Sequence, residues 1–123
     1  HNHGVEFQAM DGELPWDTFF SNTSKDVIMQ LDIGNAMDGG ADPLPYLYKY
    51  PERAITVHLK EYSKTDKNAF VGEGDVPWRA FFALCRAVGN TEWYIVEYER
   101  EGTPPLEAVD RCLQNLRKMR FAY

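Results

Sequence analysis

Short apolar runs alternate with amphipathic stretches along the whole chain. Residues 26–32 are near-continuously apolar apart from Gln30, the pattern of a parallel strand covered on both faces. Residues 54–60 and 92–98 repeat that format. Between them lie segments with helical spacing. Pro15 opens a short helix whose apolar face is Trp16, Phe19 and Phe20, spaced i, i+3, i+4. Asp42 and Pro43 start a second helix, with Leu44, Leu47 and Tyr48 on its inner face, and Pro51 ends it. Pro77 starts a third, with Trp78, Phe81, Phe82, Leu84, Cys85 and Val88 inward and Gly89 as its stop. Pro104 and Pro105 lead into a fourth, whose inward face is Leu106, Val109, Leu113, Leu116 and Met119. Asp11-Gly12 is a turn, Gly34 and Gly39-Gly40 make the stretch after residue 32 a permissive loop, and the long polar stretch 63–75 is the candidate lid over a ligand.

The opening residues His1 to Phe7 read as the mouth end of a further strand whose apolar beginning lies outside the sequence; an expression remnant before Gly4 is the alternative. The order is then strand, helix, four times over. That alternation predicts an α/β fold with a parallel sheet, treated as a single partial domain over residues 1–123. Right-handed crossovers put every strand's C-terminal end on one side. Four βα units are half of a (β/α)8 TIM barrel, whose chemistry sits at those ends.

Composition narrows the function classes. Of the 123 residues, 44% are hydrophobic and 14% aromatic, enough for a substantial core. Thirteen Lys and Arg against nineteen Asp and Glu give a formal charge of −6, which argues against a nucleic-acid partner. No apolar run approaches the roughly 20 residues of a membrane span. Cys85 and Cys112 lie on helical patterns without zinc-like spacing, so they read as core thiols and a reducing, cytoplasmic setting is the default; a leader outside the sequence would change that.

Each of the three clear strands ends on a group that can ligate a metal: Asp32, His58 and Glu97. Oxygen and nitrogen donors at one mouth suit a first-row divalent ion better than calcium. Each residue has a plainer reading. Asp32 can cap the turn after it, His58 can be a satisfied core histidine, and Glu97 can be one half of an ion pair. His1 and His3 share a face of the opening strand, and either fits as a further ligand. Glu99 follows Glu97 on the same face and reads as a salt-bridge partner.

Five stretches in order carry a resemblance over essentially the whole chain: His1-Asn2-His3-Gly4-Val5-Glu6-Phe7, Gln30-Leu31-Asp32-Ile33-Gly34-Asn35, Val57-His58-Leu59-Lys60-Glu61-Tyr62, Gly72-Glu73-Gly74-Asp75-Val76-Pro77-Trp78, and Val96-Glu97-Tyr98-Glu99. With these the chain resembles the C-terminal half of the sugar phosphate isomerase/epimerase family, the xylose isomerase-like TIM barrels. The resemblance implies one divalent metal ion, zinc or manganese before magnesium or cobalt, held by His1, Asp32, His58 and Glu97. It implies a keto-sugar or sugar phosphate substrate, isomerised or epimerised by proton transfer through an enediolate, with Glu97 and His3 as the catalytic groups. Asn35, Lys60, Glu61 and Lys64 fall where relatives place substrate-binding side chains. Two departures matter. The family's first glutamate falls on or next to His1, and Asn35 stands where many relatives have a histidine, an amide that cannot shuttle a proton near neutral pH.

Three readings follow. The first is the isomerase or epimerase, with dehydratase or lyase chemistry on a related keto-polyol as its variant. The second is a zinc nuclease of the endonuclease IV type, which the acidic charge opposes. The third is a non-catalytic half-barrel that binds sugar or only assembles with a partner. Four βα units leave sheet edges open, so the expected cover is a missing N-terminal half-barrel or a second copy of the chain.

Overall fold

The structure, a computed structural model, describes residues 1–121. Three parallel strands form its sheet in the order β1 (Leu31–Asp32), β2 (Thr56–Leu59), β3 (Trp93–Val96). Around them run α1 (Pro15–Ser21), α2 (Ile33–Asp38), α3 (Leu44–Lys49), α4 (Trp78–Leu84) and α5 (Pro105–Lys118). Consecutive strands are neighbours, as in an arc of a barrel, and the expected half-barrel is what the chain folds into.

Register decides which side chains share a face. Asp32 is level with His58, and His58 with Ile95. Side chains alternate along a strand, so Leu31, Val57 and Leu59 point the other way. Those three are fully buried, and Tyr94 and Val96 are half-buried beside them. Phe81, Phe82 and Cys85 of the α4 segment and Ala108, Cys112 and Leu116 of α5 complete that core. The opposite face carries Asp32, Thr56, His58 and Ile95, with Gln30 Nε2 donating to Thr56 Oγ1 at 2.9 Å. Ile28, Trp93 and Ile95 are solvent-exposed, Trp93 at 65%.

Several expectations are corrected. Residues 1–7 form no paired strand; His1 to His3 are irregular, and Val5–Phe7 make a 3-10 turn. The strands are shorter than their apolar runs, because Val27 and Ile28 are exposed and only Leu31 and Asp32 pair with β2. Ile33–Asp38 is a helix, not a loop. Its N-cap is Asp32, whose carboxylate offsets the cost of Gly34 in the first turn. Gly34 is needed there, since a Cβ would lie 2.5 Å from the Lys60 carbonyl oxygen. In α1, Phe19 points outward while Trp16 and Phe20 are buried. In α5 the buried stripe is Ala108, Cys112 and Leu116, and Leu106 is 84% exposed. The α4 helix passes into a π turn, Cys85–Gly89, and the left-handed residue that ends it is Asn90 at φ 55°, not Gly89.

The 63–75 stretch is not a free lid. Ala69, Phe70 and Val71 are buried, Phe70 stacks on Tyr98, and Arg111 of α5 makes a two-pronged ion pair with Glu73 at 2.9 and 2.8 Å. Arg53 plays a similar role at the other end of the sheet. Buried, it donates to the Phe20 and Val27 carbonyls and to Thr23 Oγ1, fixing the turn between α1 and β1. Among the described residues no helix is long and apolar enough to cross a membrane.

Candidate metal centre

The C-terminal ends of the strands bring Asp32, His58 and Glu97 together and the irregular N-terminal segment adds His1, with one potential ligand atom from each lying within 4.8 Å of all the others. Asp32 closes β1 and is fully buried. Its two oxygens have different partners. The Asn35 N–H donates to Oδ1 at 2.7 Å, which is the cap of α2. Oδ2 is buried and accepts no hydrogen bond. The capping and ligand readings of this residue therefore fall on different oxygens.

His58, in β2, places Nδ1 3.5 Å from Asp32 Oδ2 and 2.5 Å from Glu97 Oε2. Nδ1 makes no well-directed hydrogen bond with either carboxylate, although its close approach helps to keep Glu97 ionised. A ring nitrogen and two carboxylate oxygens converge on one small volume. Leaving such atoms buried and unpaired is costly. A divalent cation removes that cost, and the N/O donor set suits zinc, manganese or a similar ion.

Electrostatics agree with the geometry. Burial pushes the Asp32 carboxyl up to about 6, against the opposing pull of the Asn35 N–H, Lys60 and His58. Glu97 is also raised by burial, but the Lys60 ammonium outweighs this and holds it below the usual carboxylate range. Lys60 Nζ donates to Glu97 Oε1 at 2.8 Å and to Glu99 Oε2 at 2.5 Å, and burial notwithstanding, these carboxylates hold its ammonium above its ordinary value. Glu99 is thus the salt-bridge partner expected of it. Glu97 presents one oxygen to Lys60 and the other to His58.

The other expected site residues sit in varied places. His3 is exposed, its ring tilted against that of His1 at 4.9 Å between centroids, and lies 3.9 Å from Glu6 through Nδ1; it is outside the four-residue cluster. His1 also packs against His58, the rings tilted and their centroids 4.5 Å apart. Asn35 Nδ2 donates to the Asn2 carbonyl at 3.0 Å. Lys60 is at the cluster but occupied by two carboxylates. Glu61 turns away from the cluster into the following loop, where its carboxylate accepts from the Tyr62, Gly72 and Val76 N–H groups and from Trp78 Nε1. Lys64 is exposed on a separate cleft of about 340 Å3 shared with Met37, Asp42 and Tyr62. A cleft of about 320 Å3 adjoins the cluster at His1, with Trp16, Phe19, Ile28 and Gln30 in its walls.

Asn2 is the residue that sequence reasoning passed over. It is fully buried, and its amide makes two bonds to the backbone of Asp32. An amide flanked by two histidines carries no periodic signal, and its partner is thirty residues away.

The family model described as xylose isomerase-like TIM barrel matches residues 10–119. The chain belongs to the xylose isomerase-like TIM barrel family. Two solved structures, each of a sugar phosphate isomerase/epimerase from Parabacteroides distasonis ATCC 8503, superpose on all of the chain with a TM-score of 0.84 at 25% and 26% identity. The chain spans only 45% and 46% of their length. No curated protein matches the chain. Within this part of a xylose isomerase-like barrel, Asp32, His58 and Glu97 lie at the strand C-terminal ends, the face that carries chemistry in TIM barrels.

Proposed function

We propose that the chain carries the metal centre of a sugar isomerase or epimerase, acting on a keto-sugar or sugar phosphate by proton transfer through an enediolate. The observation that supports it most is the convergence of His1, Asp32, His58 and Glu97 with Asp32 Oδ2 and His58 Nδ1 buried and unpaired. The reaction class follows the Parabacteroides proteins, which are described as sugar phosphate isomerase/epimerases.

One divalent ion, zinc or manganese in first place, is held by those four side chains and supplies Lewis-acid polarisation of a substrate carbonyl. The chain's own groups do the rest. Asn35 N–H fixes Asp32 Oδ1, so that Oδ2 faces the centre. Lys60 holds Glu97 as a carboxylate and orients it. Glu97 is then the base for the proton on the carbon beside the carbonyl, and His3, exposed beside His1, is the partner that returns a proton on the other face. Asn35 and Lys60 are the polar groups nearest the substrate, Lys64 serves its outer end, and Glu61 contributes through the loop it holds.

The exposed Ile28, Trp93 and Ile95 face is covered by an N-terminal half-barrel, for which the greater length of the solved relatives speaks. The two buried free thiols, Cys85 and Cys112, fit a reducing cytoplasm. Elimination from a keto-polyol is the second reading. Its support is His1 at the position of a first carboxylate, which leaves one carboxylate and one imidazole rather than a symmetric pair.

The test is solvent-deuterium exchange into a panel of keto-sugars and their phosphates. Exchange that needs added metal and is lost in Glu97→Gln supports the isomerase reading. Exchange unaffected by Glu97→Gln moves the base elsewhere, and loss of water from the substrate in place of exchange selects the elimination.

A further inference from the structure

We propose that Asn2 is a positioning residue of the metal centre, fixing the distance between the first ligand, His1, and the second, Asp32. The inference rests on the metal reading above. Asn2 Nδ2 donates to the Asp32 carbonyl at 2.9 Å, and Asn2 Oδ1 accepts from the Asp32 N–H at 2.8 Å. One amide side chain thus satisfies both backbone groups of a single ligand residue. This is the two-bond exchange that a neighbouring strand's backbone makes, supplied here by a side chain. An amide is suited to it because it offers a donor and an acceptor side by side; a carboxylate lacks the donor and an aliphatic chain lacks both.

The segment is tied down from two further directions. Asn35 Nδ2 donates to the Asn2 carbonyl, while Asn35's own N–H holds Asp32 Oδ1. Gly4 lies against Gly39 at the end of α2 so closely that a Cβ on Gly39 would be 2.4 Å from the Gly4 carbonyl oxygen. His1 is exposed and belongs to no regular element. Beside the contacts of its ring with His3 and His58, what holds His1 at the cluster is the covalent bond to Asn2 and the clamp of Asn2 on Asp32. The clamp acts at the same time on the Asp32 backbone, while the Asn35 N–H holds Oδ1 and leaves Oδ2 turned to the centre.

The experiment is a titration of the metal-free protein with Co2+, read by its visible absorption, and with Zn2+ by competition. Asn2→Ala is expected to weaken binding about 10–100-fold, the usual cost of losing a residue that orients a ligand, and to change the Co2+ band because His1 leaves the coordination. Asn35→Ala keeps every ligand and the Asn2 amide but frees the Asn2 carbonyl. It is expected to weaken binding by a smaller factor and keeps the test open if Asn2→Ala does not fold. Phe82→Leu, remote from the cluster, lowers stability and is expected to leave affinity and spectrum unchanged. Binding by the Asn2 and Asn35 variants within about twofold of wild type, with an unchanged spectrum, overturns the positioning role. An equal loss in Phe82→Leu overturns it too, since general destabilisation would then explain the effect. A wild-type protein that binds neither ion overturns the metal reading itself, a separate result from the failure of Asn2.

Discussion

Asp32 and Glu61 are both buried carboxylates near the C-terminal ends of adjacent strands, and their surroundings are opposite. Glu61 accepts from three backbone N–H groups and an indole, all from residues 62–78. Asp32 has one donor on Oδ1 and none on Oδ2. A carboxylate surrounded by donors is a structural staple. A carboxylate left half-bare beside an unpaired imidazole is a site that needs a cation. The first shapes the loop around the mouth, and the second is free for the ligand role proposed above.

The largest effect is expected at the staple. Glu61→Gln places an NH2 against N–H donors and removes the charge they serve. It should cost about 3 kcal/mol or more in chemical denaturation, at two or three lost charged hydrogen bonds. Metal content of the protein that remains folded should be unchanged. A variant as stable as wild type would erase the contrast with Asp32.

Asp32→Asn should act in the opposite sense on the metal-free protein. Because burial raises the folded-state pKa of Asp32 from 3.8 to about 6, its contribution to stability is complete below about pH 4 and is lost as pH rises through about 6. At pH 7 the metal-free Asp32→Asn variant should therefore be more stable than metal-free wild type, by on the order of 1–3 kcal/mol. The difference should vanish below about pH 4. In the presence of metal the order should reverse, since wild type gains ligand-linked stability and the variant does not. Equal stability at both pH values would mean that Asp32 carries no burial cost.

Lys60→Met should give a smaller change. Glu97 is held below the usual range, so its stabilising contribution is present above about pH 4.5 and lost as pH falls through its folded value. Removing the ammonium should lower stability at pH 7 by about 1–2 kcal/mol, discounted for the partial exposure of the pair, and should flatten the loss on acidification between pH 5 and 3. An unchanged acid limb in the denaturation profile would show that the Lys60–Glu97 contact is not what holds Glu97.

The pattern of apolar runs made β2, β3 and the length of α5 legible, because β-branched alternation and paired prolines are local signals. It also put Asp32, His58 and Glu97 at strand ends, since a polar group closing an apolar run is visible without coordinates. The helix Ile33–Asp38 was not legible: Gly34 and Asn35 read as a turn, and only the Asp32 cap and the tight approach to Lys60 explain them. The buried face of α5 was legible in part: Leu116 is buried and Met119 packs on the core as expected, but the rest is built from the small residues Ala108 and Cys112, while the larger Leu106 and Val109 face solvent. The anchoring of the loop by Glu61 was not legible, because all but one of its donors come from residues 72–78, across a loop whose path no local pattern fixes. Asn2 was missed for the same reason at longer range.

The most direct test of the central claim is a crystal structure of the protein soaked with Zn2+ or Mn2+, with the ion located by its anomalous signal. The account predicts a single ion bound by His1, Asp32 Oδ2, His58 Nδ1 and Glu97 Oε2, at about 2.0–2.2 Å. An ion bound elsewhere, or none, with His58 Nδ1 donating a well-aligned hydrogen bond to Glu97, would contradict it.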